Sequence, residues 1–158
     1  MDRLEGVRKL AGKLLRAHAL RDWSFVYNRR KRAMGFCCFS HRTIELSIHF
    51  VANNDPEAIV DTLLHEIAHA LVGPKHGHDA VWKAKCREIG ATPLRLGEAN
   101  MPDGKWQADC RCCGRNYQRY RRPKRMRGWY CPHCGIELGR LVWKLRPYGE
   151  LRQGRLFS

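Results

Sequence analysis

The sequence predicts an α+β fold followed by a four-cysteine zinc ribbon. Three observations carry this. Helical periodicity brackets a β-rich stretch in the first hundred residues. The motif C-x2-C, seventeen residues, C-x2-C then follows, with the spacing of a structural zinc site. Between them, "LGEANMPDGK" (Leu96 to Lys105) has two glycines, a proline and no periodicity, the composition of a linker. The expected organisation is therefore a domain over 1–100, a ribbon over 105–146 and a short basic tail over 147–158.

In residues 3–20, Leu4, Val7, Leu10, Ala11, Leu14, Leu15 and Ala17 recur at spacings of three and four, which predicts an amphipathic helix. "WSFVYN" (Trp23 to Asn28) is aromatic and β-branched and reads as a strand. "RRKR" (Arg29 to Arg32), with Gly35 close by, reads as a turn, and "FCCFS" and "TIELSIHF" as two further strands. In the last of these Ile44, Leu46 and Ile48 alternate with Glu45, Ser47 and His49, the pattern of one buried face. Its edge is expected to hold an extended peptide by strand pairing. Asp55, Pro56 and Glu57 are the cap, first position and first turn of a helix that Gly73-Pro74 ends. Another helix is expected from about Asp79 to Gly90. Cys37, Cys38 and Cys86 lie in apolar contexts and read as buried thiols.

The chain has 158 residues, 44% of them hydrophobic, enough to bury a core. Its formal charge is +15, from 30 Lys+Arg and 15 Asp+Glu. Residues 105–158 hold 14 cations and 3 anions, against 16 and 12 in residues 1–104, so the excess is concentrated in the C-terminal third. A polyanionic partner is implied, with nucleic acid the usual one. The N-terminus is charged throughout and lacks the apolar core of a secretory signal, and no run is long enough for a membrane span. A cytoplasmic, nucleoid-associated protein with no membrane partner is expected. In a reducing compartment eight cysteines indicate metal ligation before disulfides.

"HEIAHALVGPKHGHDAVW" (His65 to Trp82) carries the chemistry. His65 and His69 are four apart on a helix, so both imidazoles lie on one face and reach one zinc. Glu66 sits between them in sequence, free to take a proton from water activated by the metal; this is the H-E-x-x-H arrangement of metalloproteases. The helix break at Gly73-Pro74 lets the chain return, and His76 and His78 both come within reach as third ligand. His78 is favoured, because a residue at the start of the next helix is held more rigidly. His76 then becomes a loop histidine or a proton donor, and Trp82 packs beneath the site. His18, His41 and His49 are scattered and read as ordinary residues.

In the ribbon, Cys110, Cys113, Cys131 and Cys134 give the x2 spacing twice, and Cys112 is left over. Gly114 and Gly135 follow the two pairs where a metal knuckle needs positive φ. Between the pairs, "RNYQRYRRPKRMRGWY" interleaves cations with aromatic rings. Arg119, Arg121, Arg122, Lys124, Arg125 and Arg127 are candidates for phosphate contacts, and Tyr120 and Trp129 for stacking on unpaired bases.

The motif around His65, the "IELS" strand before it and the basic ribbon after it resemble the SprT-like metalloproteases, the group that includes Spartan, from about Asp22 to Trp143. The resemblance implies a minimal zincin-like domain with a small sheet and three helices. It implies His65, His69 and His78 as ligands of a catalytic zinc and Glu66 as general base, with a second, structural zinc in the ribbon. The His78-x3-Trp82 spacing fits the family pattern. Family members are DNA-dependent proteases that digest proteins trapped on DNA. The implied partners are therefore single-stranded or junction DNA and the proteins on it, met by a monomer. Asp79 stands where the family commonly has glycine, and His76 and Cys112 are additional. The short chain favours a bacterial or phage-type protein. The alternative is a non-proteolytic nucleic-acid-binding protein with the zincin domain as scaffold.

Overall fold

The computed structural model describes residues 2–94 and 99–146. The chain divides into two compact units, Met1–Pro102 and Asp103–Ser158. The tail over 147–158 and part of the interdomain linker lie outside the described residues.

The first unit begins with α1 (Arg3–Ala17), started by Asp2, whose side chain accepts from the Leu4 amide. Val7, Ala11 and Leu15 are its buried residues, one helical turn apart. Then come β1 (Ser24–Asn28), β2 (Gly35–Cys38) and β3 (Thr43–Ser47). They form one sheet in the order β1-β3-β2. β1 runs parallel to β3 and β2 antiparallel to it. Ile44 and Leu46 of β3 are buried together with Phe50, Val51, Leu63 and Ile67 in the main core. Burying one such aliphatic side chain contributes about 2 kcal/mol, so this cluster is a main source of the unit's stability.

The stretch Thr43 to Phe50 departs from the single strand expected of it. The strand stops at Ser47, and α2 (Ile48–Asn53) begins there. Ser47 caps this helix: its Oγ accepts from the His49 amide at 3.2 Å and donates to the Arg30 carbonyl at 2.5 Å. The hydroxyl is fully buried and doubly bonded, so local capping outweighs a period-2 pattern that is only eight residues long. A fourth, short helix thus joins the three legible in the sequence.

Asp55 caps α3 (Pro56–Val72) through its Oδ1, 2.8 Å from the Ala58 amide, with Pro56 in the first turn. Asp79 caps α4 (Ala80–Ile89) in the same way, through the Trp82 amide at 3.0 Å, and Gly90 closes it. Leu64 and Ala68 of α3 bury against Trp82 and Cys86 of α4.

In the second unit β4 (Trp106–Asp109) lies between β5 (Asn116–Arg119) and β8 (Lys144–Leu145). A smaller pair joins β6 (Trp129–Tyr130) to β7 (Arg140–Leu141), with the single turn α5 (Gly135–Leu138) between them in sequence. The core is small: Ala108, Cys110, Cys131, Leu141 and Trp143. So thin a core calls for a staple.

Candidate active site and metal centres

Three imidazoles converge in the first unit. His65 and His69 project from one face of α3, and His78 comes from the segment before α4. The His78 Nε2 lies 3.2 Å from the Nε2 of His69 and 3.2 Å from that of His65. Three ring nitrogens with no carboxylate among them make a poor hydrogen-bonded cluster, because a nitrogen carrying one proton cannot serve two neighbours. They make a good metal cradle: ligand bonds of about 2.05 Å at tetrahedral angles set nitrogens about 3.3 Å apart. The donor set fits zinc.

Trp82 is fully buried beneath the three rings, with centroids 4.7, 5.1 and 4.6 Å from those of His65, His69 and His78. It stacks on His69 and meets the other two edge-on or nearly so, which fixes all three planes. His76 turns away and pairs its Nδ1 with Asp79 Oδ2 at 2.8 Å. Asp79 therefore caps α4 with one oxygen and holds the loop histidine with the other. Burial, together with its neighbouring imidazoles, lowers the pKa of His65 to about 4. Burial and His78 do the same for His69. At neutral pH both are uncharged, the form that ligates.

Glu66 is buried, at 8% exposure, and burial pushes its pKa up to about 8; the Cys37 backbone N–H opposes this in part. A dication at the three nitrogens would draw it back toward the ionised form. The carboxyl packs against β2 closely enough that a Cβ on Gly35 would stand 2.8 Å from its Oε1 and 2.9 Å from its Cγ. A cavity of about 470 Å³ opens here, lined by Met34, Gly35, Phe36 and Cys37 on one side and His65, Glu66, His69 and His78 on the other.

The edge that this cavity meets differs from the sequence expectation. The segment from Ile44 to Phe50 is not available to pair an extended peptide, because β3 is the central strand and both its edges are taken. The outer strands are β1 and β2, and the one that lines the cavity is β2. The Ser47 amide donates to the Met34 carbonyl at 2.8 Å, so in this antiparallel ladder Phe36 and Cys38 also face β3, and the backbone groups of Gly35 and Cys37 face outward. Nothing in the spacing of the motifs points to Gly35 or Cys37; the local signal is a glycine after the basic turn. Cys37 and Cys86 are buried as expected, but Cys38 is half-buried. Its Sγ lies 3.4 Å from Ser40 Oγ and 3.3 Å from His41 Nδ1, contacts that bring its pKa down to about 7.

In the second unit the thiols of Cys110, Cys113, Cys131 and Cys134 lie within 4.8 Å of one another. Each pair sits on a tight turn closed by a glycine amide, Gly114 to the Cys110 carbonyl at 2.8 Å and Gly135 to the Cys131 carbonyl at 3.0 Å. Those glycines have φ of 71° and 67°, a region that costs other residues strain. The Tyr117 hydroxyl, 3.0 Å from Cys131 Sγ, holds that thiol down at about 6. Four thiolates this close need a cation, and the set suits a structural zinc. Cys112 is exposed and outside the four, although its thiol bears on Cys134 and raises that group's pKa.

Of the candidate nucleic-acid contacts, Arg121, Arg122, Lys124, Arg125 and Arg127 are exposed, whereas Arg119, Tyr120 and Trp129 are half-buried. Arg119 stacks on Trp129 at 4.3 Å, and Trp129 donates its Nε1 to the Arg125 carbonyl at 2.6 Å. Trp129 is thus engaged within the ribbon, and Tyr130, 40% exposed, is the ring next to it that faces water.

No curated protein matches the chain. A similar solved structure is the crystal structure of the metallopeptidase zymogen jannalysin of Methanocaldococcus jannaschii, at 19% identity and a TM-score of 0.46, covering 52% of this chain and 79% of that one. The SprT-like family profile matches residues 6–103, more than half of the chain and the whole of the three-histidine site. The chain belongs to the SprT-like family.

Proposed function

We propose that the chain is a DNA-dependent zinc metalloendopeptidase that cleaves proteins bound or crosslinked to DNA. The observation that carries the reading is the convergence of three imidazole nitrogens beside a buried glutamate that rests on the free edge of a sheet. His65, His69 and His78 would hold the catalytic zinc, and Cys110, Cys113, Cys131 and Cys134 a structural one. Zinc, when bound, supplies a Lewis acid that polarises the scissile carbonyl and makes water nucleophilic at neutral pH.

The residues of the chain do the rest. An extended substrate pairs with the outward backbone groups of Gly35 and the outward carbonyl of Cys37 along β2, the Cys37 amide being held by Glu66. Glu66 accepts the proton of the attacking water as the carbon–oxygen bond forms, then gives it to the nitrogen as the carbon–nitrogen bond breaks. Trp82 holds the imidazole planes while the charge redistributes. Support for DNA dependence comes from the +15 charge and the six exposed cations between the cysteine pairs, Arg115 among them. No helix among the described residues is long and apolar enough to cross a membrane.

The test is digestion of a DNA-binding protein with and without single-stranded DNA, by wild type and by Glu66→Gln, with zinc counted on the same samples. Cleavage that requires both DNA and Glu66 is the expected result. If both proteins bind DNA and neither cleaves, the zincin domain is a scaffold and the reading fails.

A further inference from the structure

The basic turn from Arg29 to Arg32 joins β1 to β2 and ends at the mouth of the cavity, where Arg32 is one of the lining residues. Four of the 16 cations of residues 1–104 fall in this one turn. Its backbone is fixed at three points: Asn28 Oδ1 accepts from the Arg30 amide at 2.9 Å, the Arg30 carbonyl accepts from Ser47 Oγ, and the Met34 carbonyl accepts from the Ser47 amide. Arg29 and Arg30 are both exposed, and neither takes part in an ion pair among the described residues. The Arg30 guanidinium is laid over the ring of Phe36 at 4.5 Å, which restrains it next to the free edge of β2. Glu45, the carboxylate across the sheet from Phe36, accepts from Asn28 Nδ2 at 2.9 Å and so helps hold the turn.

We propose that Arg29 and Arg30 form a phosphate-contact site for nucleic acid on the catalytic unit itself, at the rim of the cleft and additional to the ribbon. A guanidinium restrained like that of Arg30 suits phosphodiester oxygens, because little side-chain freedom is lost on contact, and Arg29 adds a second exposed cation beside it. A strand held there runs beside β2, and a protein attached to that strand is presented to the edge that receives substrate. The inference rests on the nucleic-acid reading above.

The experiment is fluorescence anisotropy of a fluorescein-labelled 20-nucleotide oligothymidine with the full zinc-loaded chain across a salt series. Wild type is compared with Arg29→Gln/Arg30→Gln and with the ribbon variant Arg121→Gln/Arg122→Gln. Loss of two single-strand phosphate contacts should reduce the slope of log K against log salt by about 1.4 and weaken binding roughly 25-fold at 0.1 M salt. An unchanged melting temperature shows that the exposed substitutions leave the fold intact. Wild-type affinity and slope in the Arg29/Arg30 variant, with loss in the ribbon variant, overturn this inference and leave the DNA reading standing. If wild type itself fails to bind the oligonucleotide, both fall. If DNA binding is untouched but cleavage of peptides rich in acidic residues slows, the turn recognises substrate carboxylates and the inference is wrong.

Discussion

Gly35→Ala isolates the contact that places Glu66, the proposed general base. The backbone of Gly35 lies outside the positive-φ region, so alanine fits the strand and the whole effect is steric. The added carbon would stand 2.8 Å from Glu66 Oε1, 2.9 Å from Cγ and 3.1 Å from Cδ, where ordinary contacts begin near 3.4 Å. Glu66 must retreat by about 0.6 Å from a buried position on a packed helix. Catalytic groups tolerate displacements of about 0.5 Å, and a misplacement near 1 Å costs on the order of 100-fold in rate. The overpacking itself costs about 1–3 kcal/mol, partly offset by the lower entropy of alanine in the unfolded chain. The expected result is a 10- to 100-fold fall in kcat with two zinc ions per chain retained and only a modest fall in Tm. Activity within threefold of wild type would refute the argument that β2 sets the position of Glu66. Loss of zinc would refute the claim that the perturbation reaches the base alone.

His78→Ala should lower the zinc content from about two per chain to about one, whereas His76→Ala should leave it at about two; elemental analysis of dialysed protein separates them. Cys131→Ser should release the ribbon zinc, while Cys112→Ser should keep it, read by release into a chromogenic chelator. In EDTA, Glu66→Gln should gain stability relative to wild type as pH rises. The folded pKa of Glu66, about 8, is above its ordinary value of 4.5, so the unfolded chain loses its proton first. Wild type therefore forfeits about 1.4 kcal/mol per pH unit across this window, and the glutamine variant none. Urea denaturation at pH 5, 6, 7 and 8 measures the gap between the two proteins, and a gap that stays flat would show that Glu66 is not held in an unfavourable setting.

What is legible in the sequence is local. The two helices around the active site can be bounded to within a residue or so, because Asp55, Pro56, Asp79 and Gly90 are capping residues whose bonds close within one turn. The grouping of His65 with His69 follows from helix periodicity, and that of the four cysteines from a spacing that knuckle geometry imposes. The strand pattern through Thr43 to Phe50 misleads at Ser47 for the opposite reason. The hydroxyl that ends the strand bonds to Arg30, seventeen residues earlier, and no window of local pattern contains that partner. Composition alone offers Trp129 as a stacking platform; its engagement by Arg119 depends on strand pairing that the sequence does not display.

The cleft wall is the least legible part, and the reason lies in sheet order. Which strand offers a free edge depends on whether β3 inserts between β1 and β2, a choice made by burial of Ile44 and Leu46 against the helices. Once β3 is central, antiparallel pairing through Ser47 and Met34 fixes the phase of β2, and that phase turns the backbone of Gly35 and Cys37 outward. A slip of one residue would turn Phe36 outward and put a side chain against Glu66 in place of glycine. By its own periodicity α3 supplies two of the three imidazoles and the carboxylate, but the third imidazole, His78, comes from the segment before α4, and the room for the carboxylate comes from a neighbouring strand held in phase by one buried serine. The pairing of His65 and His69 with Glu66 is thus local to α3, while the third imidazole and the geometry of the site are properties of the whole first unit.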